Sequence, residues 1–212
     1  MRGSGVRVPS PAPKISKRLQ NLFFFVYLCY NTNMEYKKVT KENLKTAIEI
    51  QQQIFPKSFG EKDLNSYVNN TLMNQLLDND YWIVDFYGKH IGICGIYSFK
   101  EYPKDMWLGW FGVLEKERRK GYATQMLKFC YDKAKQMGYD TFRLYTHEKG
   151  KEAAIRLYQN FKMEQELYEN DDDKYQKNDK TYIFSKNLKL GKPKPWGNRN
   201  LHISVRLEEN NI

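Results

Sequence analysis

Apolar side chains recur every three or four residues in four segments of the chain, and this spacing predicts helices that each bury one face. The first predicted helix ends at Pro56, because proline cannot continue the hydrogen bonds of a helix. The four predicted helices lie at about 40–56, 61–76, 123–134 and 154–158.

Six apolar runs rich in aromatic and β-branched residues predict strands instead. The turn Gly88-Lys89 separates two of these runs and predicts a β-hairpin. No internal repeat disturbs the predicted order β-α-α-β-β-β-α-β-α-β. The predicted strands are 36–39, 81–87, 90–99, 107–114, 141–146 and 181–186.

The junction at residues 118–123 joins the strand at 107–114 to the helix at 123–134 and carries three basic residues. In that strand, Gly112 suggests a bulge or a close approach of another part of the backbone. Gly121 falls in the first turn of the helix, where the N–H groups lack helical partners and the helix dipole is positive. We therefore predict that the junction binds an anion such as a pyrophosphate, which a Cβ at Gly121 would crowd.

The pattern Arg118-x-x-Gly121-x-Ala123 resembles the acyl-CoA signature of the GCN5-related N-acetyltransferases, the GNAT family, whose general form is Gln/Arg-x-x-Gly-x-Gly/Ala. Two further elements are similar to that family. The strand at 141–146 is followed by a helix with Tyr158, and 181–186 looks like the last core strand.

This resemblance covers roughly residues 34–188. It implies an α/β (α+β) fold with a mixed central sheet of six to seven strands, splayed middle strands and helices on both faces. It also implies that main-chain groups near Phe111 and Val113 pair with the pantetheine arm of acetyl-CoA. The implied acyl-CoA contacts are Phe111, Gly112, Val113, Arg118, Arg119, Lys120, Gly121, Tyr122 and Ala123.

The resemblance implies that Tyr158 is the catalytic proton donor, and a phenol with an ordinary pKa of about 10 is protonated at pH 7. A half-buried helix tyrosine without a catalytic role is the alternative. Lys151 stands where the family often has an asparagine that contacts CoA. The dipeptide Lys162-Met163 stands where Gly-Phe is usual, so we expect the turn there to take another conformation.

The general base stays unassigned. Relatives with a glutamate on the second splayed strand have it at the position of Thr146, and threonine cannot accept a proton at neutral pH. Other candidates are a water chain leading out of the cleft and the side chains of His147, Glu148, Glu101 and Asp105. His147 has a suitable intrinsic pKa of about 6.5, although a histidine at a strand end is often a solvated surface residue.

The implied function is direct transfer of an acetyl group from acetyl-CoA to a primary amine of a small molecule or of a protein amino terminus. The alternative is a non-catalytic acyl-CoA-binding sensor or interaction module on the same fold. We expect the first two helices, residues 55–59 and the acidic segment 164–173 to contact the acceptor amine. This acidity favours a cationic acceptor, although a solvated hairpin loop also explains it.

The formal net charge of +10 raises the question of a nucleic-acid partner. Residues 1–33 supply +5 and residues 187–212 supply +3, and basic ends are typically solvated, so we expect no nucleic-acid partner. Cys29, Cys94 and Cys130 have neither disulfide-like nor metal-site spacing, so we expect no metal and a reducing cytoplasm.

The first 33 residues are basic and rich in Gly, Pro and Ser, and their apolar run at 22–30 is shorter than the ~20 residues needed to span a bilayer. We therefore expect no membrane anchor. We hypothesise that Met34 is the real initiator and that residues 1–33 are disordered or never made. Residues 34–188 then form the acetyltransferase domain, and 189–212 form a basic tail packed on its own subunit or on a neighbouring subunit in a homodimer.

Overall fold

The computed structural model describes residues 33–56, 60–71, 75–170 and 179–201. The hypothesis about residues 1–33 therefore lies almost wholly outside the described residues, as do parts of the predicted acceptor segments and of the tail. The chain divides into two compact units after Met34, and the elements described below belong to the second unit, apart from Met34 itself.

The described residues form seven strands, four α-helices and one short 3-10 turn, Glu115–Glu117. The strands are β1 (Met34–Lys38), β2 (Leu76–Phe86), β3 (Lys89–Phe99), β4 (Asp105–Val113), β5 (Thr141–His147), β6 (Glu164–Tyr168) and β7 (Thr181–Asn187). The helices are α1 (Leu44–Ile54), α2 (Gly60–Val68), α3 (Tyr122–Gln136) and α4 (Glu152–Asn160).

All seven strands belong to one sheet with the order β1-β2-β3-β4-β5-β7-β6. The pair β4 and β5 is parallel, because α3 crosses over between them, whereas β2–β3, β3–β4, β5–β7 and β6–β7 are antiparallel. The implied mixed sheet of six to seven strands is confirmed, and the fold is of the α/β class.

The second predicted helix is shorter than its apolar spacing indicated. Helix α2 ends at Val68, and Leu76 begins β2, where it pairs with Phe99. The hairpin turn also lies one residue earlier than predicted, because Tyr87 and Gly88 adopt the left-handed conformation, with φ of 49° and 74°. Lys89 is consequently the first residue of β3.

Strand β6 was not among the predicted strands. It is a short edge strand of sequence Glu-Gln-Glu-Leu-Tyr, in which only Tyr168 is fully buried. A polar edge strand lacks the apolar run on which the prediction rested, because only its last side chain enters the core. Half of the acidic segment 164–173 is therefore a strand and not a loop.

Helices cover both faces of the sheet. Helices α3 and α4 pack on one face, as shown by the ring contacts Trp82–Phe129, Tyr131–Phe142 and Tyr158–Phe184. Helices α1 and α2 cover the opposite face over β2 and β3, in a cluster of Val39, Ala47, Ile50, Leu64, Tyr81, Ile83, Ile93 and Leu114.

The segment 188–201, which we call the arm, covers the same face as α1 and α2, but over β4, β5 and β7. Trp196 is 1% exposed, and its ring lies 4.9 Å from the ring of Trp107 on β4. Beneath it, Arg143 forms an ion pair with Asp105 at 3.0 Å, and Arg199 lies 3.4 Å from the same carboxylate. Of the two arrangements left open for the tail, its described part packs on its own sheet.

Strands β4 and β5 pair only at their beginnings. The register runs from Asp105 opposite Thr141 to Trp107 opposite Arg143, and no later residues of the two strands pair. The strands therefore splay after Trp107, as the resemblance implied, and a cleft opens toward Val113 at the far end of β4.

Candidate active site

The candidate site is the cleft between residues 108–113 of β4 and 144–147 of β5. Strand β4 bulges in this part, since the three steps from Gly109 to Gly112 oppose only two steps along β3. The half-buried Phe111 lies in the bulge. A Cβ on Gly112 would lie 2.4 Å from Cγ2 of Ile54, so α1 packs directly on this backbone. Both interpretations of Gly112 are thus observed: β4 bulges there, and helix α1 approaches its backbone closely.

The main chain of Val113 faces the cleft. The amide of Leu114 donates to the carbonyl of Ile91 on β3 at 2.9 Å. The Val113 carbonyl belongs to the same trans peptide group, in which the N–H and the C=O point in opposite directions. The Val113 carbonyl therefore points away from β3, where it accepts a hydrogen bond from Nε of Arg118 at 3.1 Å. The Arg118 guanidinium is thereby held beside Val113, at the open end of the cleft.

The junction between β4 and α3 presents a row of unpartnered amides. Arg119 and Gly121 both adopt the left-handed conformation, with φ of 65° and 82°. Among the described residues, no acceptor is found for the amides of residues 119–123, which include the first turn of α3. Apart from its chain neighbours, no heavy atom of the described residues lies within 4 Å of a Cβ built on Gly121, so the space beside these amides is open on the described side. Free amides, a helix N-terminus and open space fit a pyrophosphate.

Besides Arg118, two predicted contact residues are already engaged with the protein. Lys120 donates to Oε2 of Glu117 at 2.8 Å, and Tyr122, the first residue of α3, packs its buried ring 5.0 Å from the ring of Phe86. Ala123 lies half-buried in the first turn. Glu117 is itself buried and also pairs with Lys89 at 2.5 Å. This glutamate was not among the predicted site residues, although its spacing of three residues from Lys120 was a signal for the ion pair.

Tyr158 lies on α4 against the sheet. It is 6% exposed, and its ring is 5.2 Å from Phe184, which pairs with Leu144 in the splayed part of β5. Burial raises the pKa of the Tyr158 phenol above its ordinary value, so the hydroxyl is protonated at neutral pH. Its hydroxyl has no hydrogen-bond partner among the described residues.

The structure separates the candidates for the general base. Asp105 lies at the paired end of β4 and is engaged by Arg143, so it is a structural residue. Thr146 and His147 are consecutive on β5 and point to opposite faces of the sheet. The His147 Nδ1 atom is 2.9 Å from Oγ1 of Thr181, and burial lowers the pKa of the imidazole. Glu148 accepts a hydrogen bond from the Tyr182 hydroxyl at 2.8 Å, on the Thr146 side of the sheet.

The turn after α4 keeps a left-handed residue despite the departure from Gly-Phe. Lys162 has a φ of 59°, which glycine adopts more readily. The ammonium of Lys186 donates to the carbonyls of Phe161 at 2.6 Å and Lys162 at 3.3 Å, and this satisfies the end of the helix. The expected change of conformation is therefore not needed. Lys151 is the exposed N-cap of α4.

A surface depression between β1, α2 and the start of β2 lies away from this cleft. Within it, Asp80 is bound by Lys38 at 2.6 Å and by the Tyr67 hydroxyl at 3.3 Å. In the described ranges there is no group of three or more His, Cys, Asp and Glu residues placed to hold a metal ion. No helix of the described part is long and apolar enough to cross a membrane.

Solved acetyltransferase structures share this fold. The N-acetyltransferase from Staphylococcus aureus Mu50 superposes with a TM-score of 0.57 at 20% identity, covering 74% of this chain and 100% of that one. The ribosomal-protein-S18-alanine N-acetyltransferase from Escherichia coli superposes with a TM-score of 0.57 at 16% identity, covering 77% and 99%. The spermidine N-acetyltransferase from Vibrio cholerae, in complex with CoA and spermine, gives 0.58 at 12% identity, covering 74% and 97%.

Comparison of the sequence with curated proteins finds no match. Identities of 20% and below, as in these structures, establish a common fold and not a common substrate. The sequence of residues 44–163 matches the family model described as "Acetyltransferase (GNAT) family". This match spans more than half of the chain and includes the splayed strands, the amide row and Tyr158. The chain therefore belongs to the GNAT family of acetyltransferases.

Proposed function

We propose that this acetyltransferase transfers an acetyl group from acetyl-CoA to a primary amine by direct attack, without an acyl-enzyme. The observation that carries the proposal is the row of unpartnered amides at residues 119–123, placed beside the opening between β4 and β5. An anion-binding helix N-terminus next to exposed strand edges suits a ligand that has phosphates at one end and an extended arm at the other.

In this proposal, bound acetyl-CoA supplies the thioester carbonyl that the amine attacks. The amides of residues 119–123 hold the pyrophosphate, and the positive charge of Arg119 adds to the helix dipole. The main chain near Phe111 and Val113 binds the pantetheine arm along β4. Arg118 supports this edge by its hydrogen bond to the Val113 carbonyl.

Tyr158 donates a hydrogen bond to the sulfur that leaves. Burial raises the pKa of this phenol above its ordinary value, so the hydroxyl stays protonated and can donate its hydrogen bond as negative charge develops on the sulfur. Because this hydroxyl has no partner among the described residues, it is available for this purpose. The acceptor amine loses its proton to water or to a carboxylate at the mouth of the cleft.

The acceptor is a small cationic amine or a protein amino terminus. The edge strand β6 contributes Glu164, which is exposed, and the partly buried Glu166, so this end of the sheet carries negative charge that attracts amines. We place the protein in the cytoplasm, an interpretation supported by the buried and free thiols of Cys94 and Cys130. We propose no nucleic-acid or membrane partner.

A non-catalytic acyl-CoA-binding role is the second candidate, and one observation favours it. Thr146 has no carboxylate, and the neighbouring His147 points to the other face of the sheet, where it contacts Thr181. A protein that only binds acyl-CoA needs the amide row and no proton acceptor.

Two measurements test these proposals together. Acetyl-CoA at about 100 times its Kd should stabilise the native state by about 2.7 kcal/mol and raise its Tm. Release of free thiol from acetyl-CoA should then be followed with spermidine, lysine and an alanine-terminated peptide as acceptors. A Tm shift without thiol release from any amine would favour the binding role, and absence of a Tm shift would contradict both candidates.

The matched variants are Gly121→Asn and Gly121→Asp. Both side chains tolerate the left-handed conformation and have nearly the same size, so they differ mainly in charge. Gly121→Asp should abolish the Tm shift because it places a carboxylate beside the phosphates, whereas Gly121→Asn should only reduce it. An unchanged shift in Gly121→Asp would overturn the assignment of the site.

A further inference from the structure

A buried carboxylate lies directly beside the proposed anion site. Glu117 ends the 3-10 turn two residues before Arg119, and its side chain is 4% exposed. Hydrogen bonds from Lys120 and Lys89 lower the pKa of this carboxyl to about 2, so it is charged at every physiological pH. A permanent negative charge so close to bound phosphates would weaken their binding if it had no other role.

The two lysines come from different elements. Lys120 belongs to the loop itself, and Lys89 is the first residue of β3, immediately after the turn of the β2–β3 hairpin. One carboxylate therefore joins the hairpin to the loop, at 2.5 Å from Lys89 and 2.8 Å from Lys120. The hairpin also supports the loop at its other end, through the ring contact of Phe86 with Tyr122.

The loop between these supports includes an unfavourable backbone conformation. Arg119 is not a glycine, and its φ of 65° is a left-handed conformation that residues with a Cβ rarely adopt. Its neighbours on both sides are anchored: Arg118 to the Val113 carbonyl, and Lys120 to Glu117. These contacts restrain the chain on either side of Arg119 and so fix the direction of the amides that follow.

We propose that Glu117 is a positioning residue for acyl-CoA, which ties the anion-binding loop to the β2–β3 hairpin and holds its amides ready for the phosphates. Lys89 then acts on binding through Glu117, without touching the ligand. This inference rests on the proposed function, because it takes CoA as the ligand of the loop.

The sign of one mutational effect separates this role from simple repulsion. Glu117→Gln removes the charge and weakens both contacts to the lysines. A positioning role predicts weaker CoA binding, whereas a merely repulsive carboxylate predicts tighter binding. Lys89→Met breaks the tether from the hairpin side and should also weaken binding, because a loop free to rearrange must be ordered when the ligand binds.

The experiment is calorimetric titration of the full chain with CoA and with dephospho-CoA, which lacks the 3′-phosphate. We expect Glu117→Gln and Lys89→Met each to raise the Kd for both ligands by about tenfold, the size expected for a lost charge-assisted contact. The double variant should bind CoA no more weakly than whichever single variant has the higher Kd, because both changes break the same link between the hairpin and the loop. With saturating acetyl-CoA, kcat should stay within about twofold.

Lys116→Met is the matched control for Lys89→Met, since it removes an equal, exposed charge from the 3-10 turn without breaking the link. Tighter binding by Glu117→Gln would overturn the inference. So would a loss in Lys89→Met for CoA but not for dephospho-CoA, which would mean that Lys89 contacts the 3′-phosphate itself. Equal losses of CoA affinity in Lys116→Met and Lys89→Met would also overturn it, because they would show that only the net charge of the protein matters.

Failure of the wild type to bind CoA would overturn the proposed function and this inference with it. A wild type that binds CoA, with variants that bind equally well, would leave the function intact and refute only the positioning role. Each variant is first checked for an unchanged far-UV spectrum, and Lys89→Met alters a side chain that is 59% exposed, so it should fold.

Discussion

The polar groups at the two ends of the β4–β5 pair differ in whether they have partners within the protein. At the paired end, between Asp105–Trp107 and Thr141–Arg143, the arm fills the space with Trp196 and Arg199, and each charge has a partner within the chain. At the splayed end the strands separate, and the junction that follows β4 keeps its amides free. Stability and ligand binding are therefore concentrated in different parts of the same pair of strands, and changes at one end should leave the other end intact.

The splayed end is tested most sharply by Tyr158→Phe, which keeps the ring and removes only the hydroxyl. We expect kcat to fall on the order of 10²–10⁴-fold, because the leaving sulfur loses its proton donor. Stability and the Kd for CoA should change little, since the hydroxyl has no partner among the described residues. Steady-state kinetics, calorimetry and urea denaturation measure the three quantities.

The matched control is Tyr131→Phe, which removes a hydroxyl that donates to the Asn187 carbonyl at 2.8 Å near the paired end. It should cost about 1 kcal/mol of stability and leave kcat unchanged. If Tyr158→Phe lowers CoA affinity at constant kcat, Tyr158 is a binding residue. Equal activity of wild type and variant would remove it from the mechanism.

The paired end is tested by Asp105→Ala. Arg143 is 1% exposed and would keep a buried charge without its carboxylate, so the free energy of unfolding should fall by about 3–5 kcal/mol. Urea denaturation measures the loss, and Arg199→Met, at a side chain that is 40% exposed, should cost less. The folded fraction should bind CoA as the wild type does. A Kd that rises in proportion to the lost stability would mean that the two ends are coupled.

Acid should weaken the ion pairs of Glu117 with Lys89 and Lys120, which hold the loop at the splayed end. The pKa of Glu117 is lowered from 4.5 to about 2 by its lysine partners, so its contribution to stability is present above the unfolded pKa and is lost as the pH falls toward about 2. Wild type should therefore lose more stability than Glu117→Gln between about pH 5 and pH 2.5, measured by urea titration at each pH. The difference should be small, because both lysines are half-exposed. Parallel pH profiles would show that the ion pairs do not stabilise the fold.

The smallest expected effect is a gain at the paired end from Lys162→Gly. Relief of the left-handed conformation is partly offset by the greater freedom of glycine in the unfolded chain, so we expect a stabilisation of about 0.5 kcal/mol. Lys186→Met should have the opposite sign, because it removes the donor to the Phe161 and Lys162 carbonyls. Thermal denaturation of both variants checks the signs. A destabilised Lys162→Gly would mean that the Lys162 side chain has a contact of its own.

Most helices and strands could be predicted because the spacing of their apolar side chains follows the face that each element buries. Helix α3, predicted at 123–134, buries one face as its apolar spacing predicted, with Met126, Leu127, Cys130 and Ala134 completely buried. Gly121 was predicted in the first turn of this helix and is instead its left-handed N-cap, one residue before the helix begins at Tyr122. Prediction failed where local pattern and tertiary contact disagree. Leu76 continues a helical spacing but is recruited by Phe99 into the β2–β3 pair.

The packing of the arm and the contact between Glu117 and Lys89 could not be predicted from spacing. Trp196 has no periodic neighbours, and its partners Trp107 and Tyr102 are far from it in the sequence. Lys89 meets Glu117 only because the β2–β3 hairpin places its turn beside the loop. Such contacts depend on how the sheet is assembled, which a local pattern does not encode.

The arm has a consequence for the lifetime of the native state. Arg199 reaches Asp105 across 94 positions of the chain, and contacts of such long sequence separation tend to form late, because closing the loop costs entropy first. Interactions that are absent from the transition state of folding act mainly on the rate of unfolding. We therefore expect the arm to lengthen the lifetime of the folded protein by slowing unfolding, and to have little effect on the rate of folding.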